Sequence, residues 1–244
     1  DGLLPSTNSL RLLLIRKMSK KKVIKYRCTF TNTILDVFRR RGWQEASEGS
    51  NDWDVLWCDL HLLSLHFDNN FLLDHQRVAY FRNYYELCRK NMMIKNLKRL
   101  KKNLRKTNPK EAERCDFSPL TFEVPKEYHM FVEEFKKSLG SIWIMKPSMK
   151  SQGRGIFLFQ RLKDIDDWKN MSSKMMIQDT APEVYVVQKY IENPYLIGGR
   201  KFDIRMYVLV TSFSPLKIWV YREGFARFSH YPYTVDRIKD KFTH

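Results

Sequence analysis

Cysteine is scarce and never paired: Cys28, Cys58, Cys88 and Cys115 stand far apart, with no C-x-x-C spacing among them. That spread excludes a zinc knuckle and a compact disulfide framework, and reduced thiols in a cytosolic chain are the expectation. His61 and His66 stand five apart, missing the four-residue spacing that sets two imidazoles on one helical face, so neither reads as a metal ligand. Long apolar runs are lacking too. The stretch Leu10 to Ile15 is far shorter than the ~20 residues a bilayer span needs, and no small-residue cleavage site clearly follows it, so a soluble protein with no membrane partner is expected. There is no internal repeat, heptad array or low-complexity tract, and no recognised RNA- or DNA-binding signature. Acidic residues are the minority charge: 27 Asp+Glu against 44 Lys+Arg leave +17, which favours a nucleic acid, an anionic membrane or an acidic polypeptide as partner.

What is present suffices for a core. At 244 residues, 43% hydrophobic and 14% aromatic, the chain folds as one large domain or two to three small ones. It starts at Asp1, while Met18 opens a basic run that would suit a natural start, so residues 1–17 are expected to be upstream sequence without a fold of their own. A helix over Asn32 to Arg41, the Gly42-Trp43 break, a polar turn at Ser47 to Asn51 and a strand over Trp53 to Cys58 predict a small α/β module. Residues 71–106 read as helical through Leu87, Met92, Ile94, Leu97, Leu100 and Leu104. Arg89, Lys90, Lys95, Lys98, Arg99, Lys101, Lys102, Arg105 and Lys106 make this the most basic segment, either a solvated face or a dock for an acidic chain. Thr107 to Glu113, with Asn108-Pro109, reads as a loop and a boundary. Beyond it come a helix within Pro125 to Lys137, strands at Ser141 to Lys146 and Gly155 to Gln160, a short helix at Asp164 to Lys169, a mobile loop over 170–182 and a strand at Val184 to Ile191. Phe202 to Phe213 and Lys217 to Arg222 predict an antiparallel pair across Ser214-Pro215.

Two segments carry chemistry. In residues 199–209, Lys201, Asp203 and Arg205 alternate with Phe202, Ile204, Met206 and Val208, so a strand would gather two cations and a carboxylate on one face with an apolar set packed behind. That pattern fits a phosphate site, and also an ordinary half-buried strand. Between the predicted strands at 141–146 and 155–160 lies Ser148-Met149-Lys150-Ser151-Gln152-Gly153-Arg154-Gly155, whose backbone N–H groups, glycines and cations could receive a polyphosphate, although a Gly-x-Gly hairpin is common.

Taken in order, Trp143-Ile144-Met145-Lys146-Pro147, the Gly-rich loop, Val187-Gln188-Lys189-Tyr190-Ile191, Ile191-Glu192-Asn193-Pro194-Tyr195-Leu196-Ile197-Gly198-Gly199-Arg200-Lys201-Phe202-Asp203 and Gly224 to Phe228 resemble the tubulin tyrosine ligase-like family of ATP-grasp ligases, in its polyglutamylase branch. The resemblance implies an α/β (α+β) ATP-grasp-like fold: an N-terminal arm (1–25) expected to be disordered, an α/β module with a basic helix (26–115), a central subdomain with an antiparallel sheet (116–187) and the start of a C-terminal subdomain (188–244). It implies ATP and magnesium as cofactors. Lys146 and Lys201 would neutralise the α- and β-phosphates, and Gln152, Gly153, Arg154 and Gly155 would lie over them. Gln188, Lys189, Tyr190 and Ile191 would hug the adenine, with Phe202 and Asp203 completing the nucleotide site and Arg205 as the catalytic cation near the transferred phosphate or the acceptor. Arg227 would grip the carboxylate of free L-glutamate, for which a bidentate guanidinium suits. Tubulin in microtubules, through its acidic C-terminal tails, would be the protein substrate, and the resemblance implies cytoplasm and cytoskeleton, with cilia, flagella and basal bodies as the address.

The implied reaction is ATP-dependent addition of glutamate to a tail glutamate γ-carboxyl through an acyl phosphate. Family members continue past the position of His244 into segments that supply Asp, Glu and Asn ligands to magnesium, so no metal ligand is assigned within the chain and little ligase activity is expected of these residues alone. A non-catalytic microtubule-binding fragment and, on charge alone, a basic nucleic-acid-binding protein are the alternatives.

Overall fold

A computed structural model describes residues 22–69, 71–165, 183–236 and 238. The readings of residues 1–17 and 170–182, and most of the Asp164 to Lys169 helix, lie outside the described residues, as does the arm through residue 21. The chain divides into two compact units, Asp1–Tyr84 and Tyr85–His244.

In the first unit, β1 (Lys25–Cys28) is the hub of a parallel sheet with order β2 (Gln44–Glu45), β1, β3 (Val55–Trp57), β4 (Arg77–Val78). Helix α1 (Thr33–Arg40) starts where Asn32 accepts from the Ile34 N–H, and it buries Leu35 and Phe38 against Tyr26. The α/β module is therefore present, with a parallel sheet. Helix α2 (Leu60–Asn69) was not expected, and residues 71–84 contribute β4 and turns where the sequence predicted helix. The periodicity begins only at α3 (Tyr85–Cys88) and α4 (Lys90–Thr107).

In the second unit, Asn108-Pro109 opens a helix where a loop was expected. Asn108 accepts from the Glu111 N–H and Pro109 occupies the first turn of α5 (Pro109–Arg114), a position whose N–H is not needed by the helix. The central element is an antiparallel sheet of order β5 (Thr121–Val124), β8 (Tyr185–Lys189), β6 (Trp143–Pro147), β7 (Phe157–Phe159). One face packs on α6 (Tyr128–Lys137): Phe131, Phe135, Trp143, Met145, Phe159 and Val187 are each at most 5% exposed, and Phe131 meets Trp143 edge-on at 5.2 Å. On the other face, alternation along β6 and β8 sets Lys146 and Gln188, beside Ile144 and Val186, away from that cluster.

The predicted 202–213 strand breaks at Met206-Tyr207. β10 (Arg200–Arg205) lies between β9 (Leu196–Ile197) and β13 (Phe225–Phe228), whereas β11 (Val208–Phe213) forms a hairpin with β12 (Leu216–Val220). Gly224 marks the crossing. A Cβ there would stand 2.2 Å from the Arg205 carbonyl oxygen, so only glycine lets β13 return this closely. The apolar set expected to pack behind the charged face does not do so: Ile204 is 65%, Met206 62% and Val208 56% exposed. Of that set Phe202 alone finds aromatic neighbours, Tyr195 and Phe228. The architecture is mixed α/β with several sheets, and no described helix is long and apolar enough to cross a membrane.

Candidate functional site

The face of the central sheet opposite its aromatic core carries a hydrogen-bonded relay. Ile144 sits opposite Gln188 in the β6–β8 register, which puts Lys146 on the adjacent diagonal of the same face. Lys146 Nζ donates to Gln188 Oε1 at 2.7 Å, Gln188 Nε2 donates to Thr121 Oγ1 at 2.8 Å, and that hydroxyl donates to the Pro119 carbonyl at 2.7 Å. A neutral amide is thus the hydrogen-bond partner of a half-buried ammonium. Burial, and then the charge of Lys90, hold the Lys146 amine below the ordinary lysine range.

Lys201, from β10, joins this cluster. Its Nζ donates to the Tyr190 hydroxyl at 2.5 Å, and burial followed by the Lys146 charge lowers its pKa against a weaker opposing pull from Asp203. Tyr190 follows β8 and is pinned by its N–H to the Ile142 carbonyl at 2.9 Å. Burial drives its phenol upward, as it does the neighbouring Tyr233 phenol, which also donates to the Glu192 carbonyl. Lys90, the first residue of α4, completes the set: its Nζ donates to the Pro147 carbonyl at 3.0 Å and the Lys150 carbonyl at 2.8 Å, and burial lowers its pKa. Three lysines, each partly desolvated, with Coulombic coupling between Lys90 and Lys146 and between Lys146 and Lys201, make an electropositive cluster. Close like charges in a low-dielectric setting repel, and this disfavours the charged form of each amine.

The Gly-rich loop joins β6 to β7 beside these lysines. Gly153 and Gly155 both take φ of 71°, and a Cβ at Gly155 would press on Pro147 Cγ at 3.1 Å. Gln152 also holds a positive φ, 59°, and its side chain accepts from Arg154 Nη2. Lys150 pairs with Glu183. Ser148 continues the ladder through its N–H to the Val184 carbonyl; it is 4% exposed and its hydroxyl finds no partner among the described residues.

The remaining predicted residues separate. The Lys189 N–H is taken by the Leu120 carbonyl, its side chain is exposed, and Ile191 is 54% exposed. Phe202 stacks on Phe228 at 5.4 Å. Asp203 and Arg227 stand opposite each other in the β10–β13 register and form a bidentate pair, Nε to Oδ1 and Nη2 to Oδ2, both 2.8 Å. The carboxylate raises the Arg227 pKa, and both side chains are more than half exposed. Arg205 ends β10 exposed. Lys146, Gln188, Tyr190 and Lys201, which the resemblance assigns to one nucleotide site, lie close together, whereas the sequence reading left Lys90 in the basic helix and gave Thr121 no part. A lysine at the front of a helix, where the dipole disfavours a cation, was the available signal for Lys90. Among the described residues no three His, Cys, Asp or Glu side chains come together.

Comparison with known proteins agrees with the fold. Residues 67–244 match the family model described as the tubulin-tyrosine ligase family. The chain is 47% identical, over 94% of its length and 56% of the relative's, to the "Probable tubulin polyglutamylase TTLL9" of Mus musculus. It is 44% identical to the "Probable tubulin polyglutamylase ttll-9" of Caenorhabditis elegans, over 98% of this chain and 56% of that protein. Identity is 40% to the "Probable alpha-tubulin polyglutamylase Ttll1" of Tetrahymena thermophila, over 90% and 56% respectively. The chain thus spans about half the length of these curated relatives.

Proposed function

The chain belongs to the tubulin-tyrosine ligase family, and from that premise we propose that it carries the nucleotide-binding part of a tubulin polyglutamylase with an ATP-grasp-like site. The observation that supports this best is the Lys146–Gln188 and Lys201–Tyr190 pairing, which holds two partly desolvated ammonium groups, from β6 and β10, against neutral partners at the end of β8, with no carboxylate pairing Lys146 among the described residues.

In this reading ATP is the polyanion that the lysines receive. Lys146 and Lys201 balance the α- and β-phosphates, the Gln152 to Gly155 turn covers them, and the strand end from Gln188 to Ile191 lies along the adenine beside Phe202. A tail glutamate γ-carboxylate attacks the γ-phosphorus, ADP leaves, and an acyl phosphate forms. The amine of free glutamate then attacks the acyl carbon, inorganic phosphate departs, and a proton is lost from nitrogen, leaving an isopeptide branch. Arg205, at the exposed end of β10, serves the transferred phosphate or the acceptor carboxylate. Arg227 takes the carboxylate of incoming glutamate: a guanidinium carries five N–H groups and the Asp203 pair uses two of them. Asp203 then orients the fork for its second acid.

The exposed face of α4 suits the acidic tubulin tail. Lys98 and Lys101 already pair with Glu127 and Asp116, whereas Lys95, Lys102, Arg105 and Lys106 face solvent and would attract negative charge over roughly a Debye length, about 8 Å at physiological salt. A microtubule-associated, ciliary or flagellar address follows from this substrate. The test is incorporation of radiolabelled glutamate into purified microtubules by the full-length protein. ATP-dependent labelling that subtilisin removes with the tubulin tails is the expected result; labelling independent of ATP, or none with ATP and glutamate both saturating, would refute the ligase reading.

A further inference from the structure

Lys90 stands in an electrostatically poor position. It is the first residue of an 18-residue helix, a place where the macrodipole repels cations, and neither an acidic first-turn residue nor a side-chain cap at Arg89 offsets it. It is partly desolvated and lies within Coulombic reach of Lys146, which is itself within reach of Lys201. Its neighbours in the same basic run, Lys95, Lys102, Arg105 and Lys106, point to solvent instead.

What Lys90 does there is specific. Its ammonium bridges two carbonyls, those of Pro147 and Lys150, at the two ends of the segment that leads from β6 into the Gly-rich turn. Within that segment sits the buried, unpartnered hydroxyl of Ser148. Downstream, Gln152, Gly153 and Gly155 all take positive φ, so the turn's direction depends on how its stem is held. A charge-assisted pair of hydrogen bonds from a helix end is a firm hold, each bond being stronger than a neutral one.

We propose that Lys90 is a positioning residue: it latches the stem of the Gly-rich loop to the front of α4, so that the loop stays closed over the nucleotide phosphates. The proposal rests on the nucleotide reading given above. The latch fixes residues 147–150, and its remaining N–H and its charge add to the field of Lys146. An arriving polyphosphate relieves the repulsion among the three lysines, which explains why so unfavourable a cluster can be kept.

The experiment uses the full-length protein as wild type, Lys90→Met, Lys90→Arg and Lys146→Met, with ATP and AMP titrated calorimetrically and amide hydrogen exchange followed across residues 143–165. Lys90→Met is expected to speed exchange in residues 148–156, to weaken ATP about tenfold and to leave AMP within about twofold; loss of one charge-assisted contact is of that size. Lys90→Arg, which can still bridge both carbonyls, should recover most of the ATP affinity. Unchanged loop exchange in Lys90→Met, or equal weakening of ATP and AMP with faster exchange throughout β5 to β8, overturns the latch. Should Lys90→Met fail to fold, wild-type exchange decides: protection of 148–156 by ATP beyond that given by AMP supports the latch, and equal protection overturns it. Lys146→Met separates the two levels, since unchanged ATP affinity there refutes the nucleotide reading itself.

Discussion

The two strand systems of the second unit solve different problems with the same kinds of residue. The β5-β8-β6-β7 sheet buries Phe131, Trp143, Met145 and Val187 completely and thereby holds Lys146 and Gln188 on a rigid opposite face. The β9–β13 strands leave Trp219 63% and Phe225 51% exposed, and their charged pair, Asp203 with Arg227, sits in solvent. A cation held by a packed sheet can remain desolvated and responsive to an anion. One held by a neighbouring carboxylate on an open sheet is already satisfied and must share its fork. Placement of charge relative to the core thus separates a desolvated lysine from a solvent-exposed, carboxylate-paired arginine, although each lies on an alternating strand.

Substitutions sharpen this contrast in descending order. Phe131→Ala, at 0% exposure among five aromatic neighbours, should cost about 3 to 5 kcal/mol in urea denaturation. A loss below 1 kcal/mol would mean that the central sheet is not the packed platform described. The next effect is alkaline. Lys146 has a folded pKa below its ordinary 10.5 because burial penalises the charged form. The unfolded state then binds more protons in the window between the folded pKa and 10.5, and this group's penalty, full below that window, is relieved as pH rises through it. Wild type should therefore gain stability relative to Lys146→Met as pH approaches 10.5, by chemical denaturation at several pH values; a constant difference would show that Lys146 is solvated. The smallest effect belongs to the open strands. Trp219→Ser should shift stability by only about 0.5 kcal/mol, the usual range for exposed positions, and a larger loss would mean that this face is covered in solution.

How much of this was legible in the sequence depended on whether the signal was local. The helix at Thr33–Arg40 and strands β6, β7, β8 and β12 follow from caps, alternation and glycine, and the sequence predicts them within a few residues. Helix α2 escaped because Leu60, Leu62, Leu63 and Leu65 crowd all sides of it, giving no clear 3.6-residue stripe. Helix α5 escaped because Asn108-Pro109 serves equally as a turn and as a helix start, and only the capping hydrogen bond distinguishes them. The break at Met206-Tyr207 is dictated by strand partners more than ten residues away, which periodicity cannot see. At the site, Lys146 and Lys201 were visible through strand position and family likeness. Lys90 was hidden among its basic neighbours, since what distinguishes it is burial, and Arg227 showed its type but not its Asp203 partner.

Affinity along the series ATP, ADP and AMP, measured on wild type, Lys146→Met and Lys201→Met, tests most directly that the buried lysines form a polyphosphate site. In wild type each added phosphate should tighten binding, and in either variant the step from AMP to ADP should shrink by about 2 to 4 kcal/mol or vanish, as expected on losing a cation aimed at phosphate in a water-poor site. A ladder equally steep in all three proteins, or flat in wild type, would contradict the assignment.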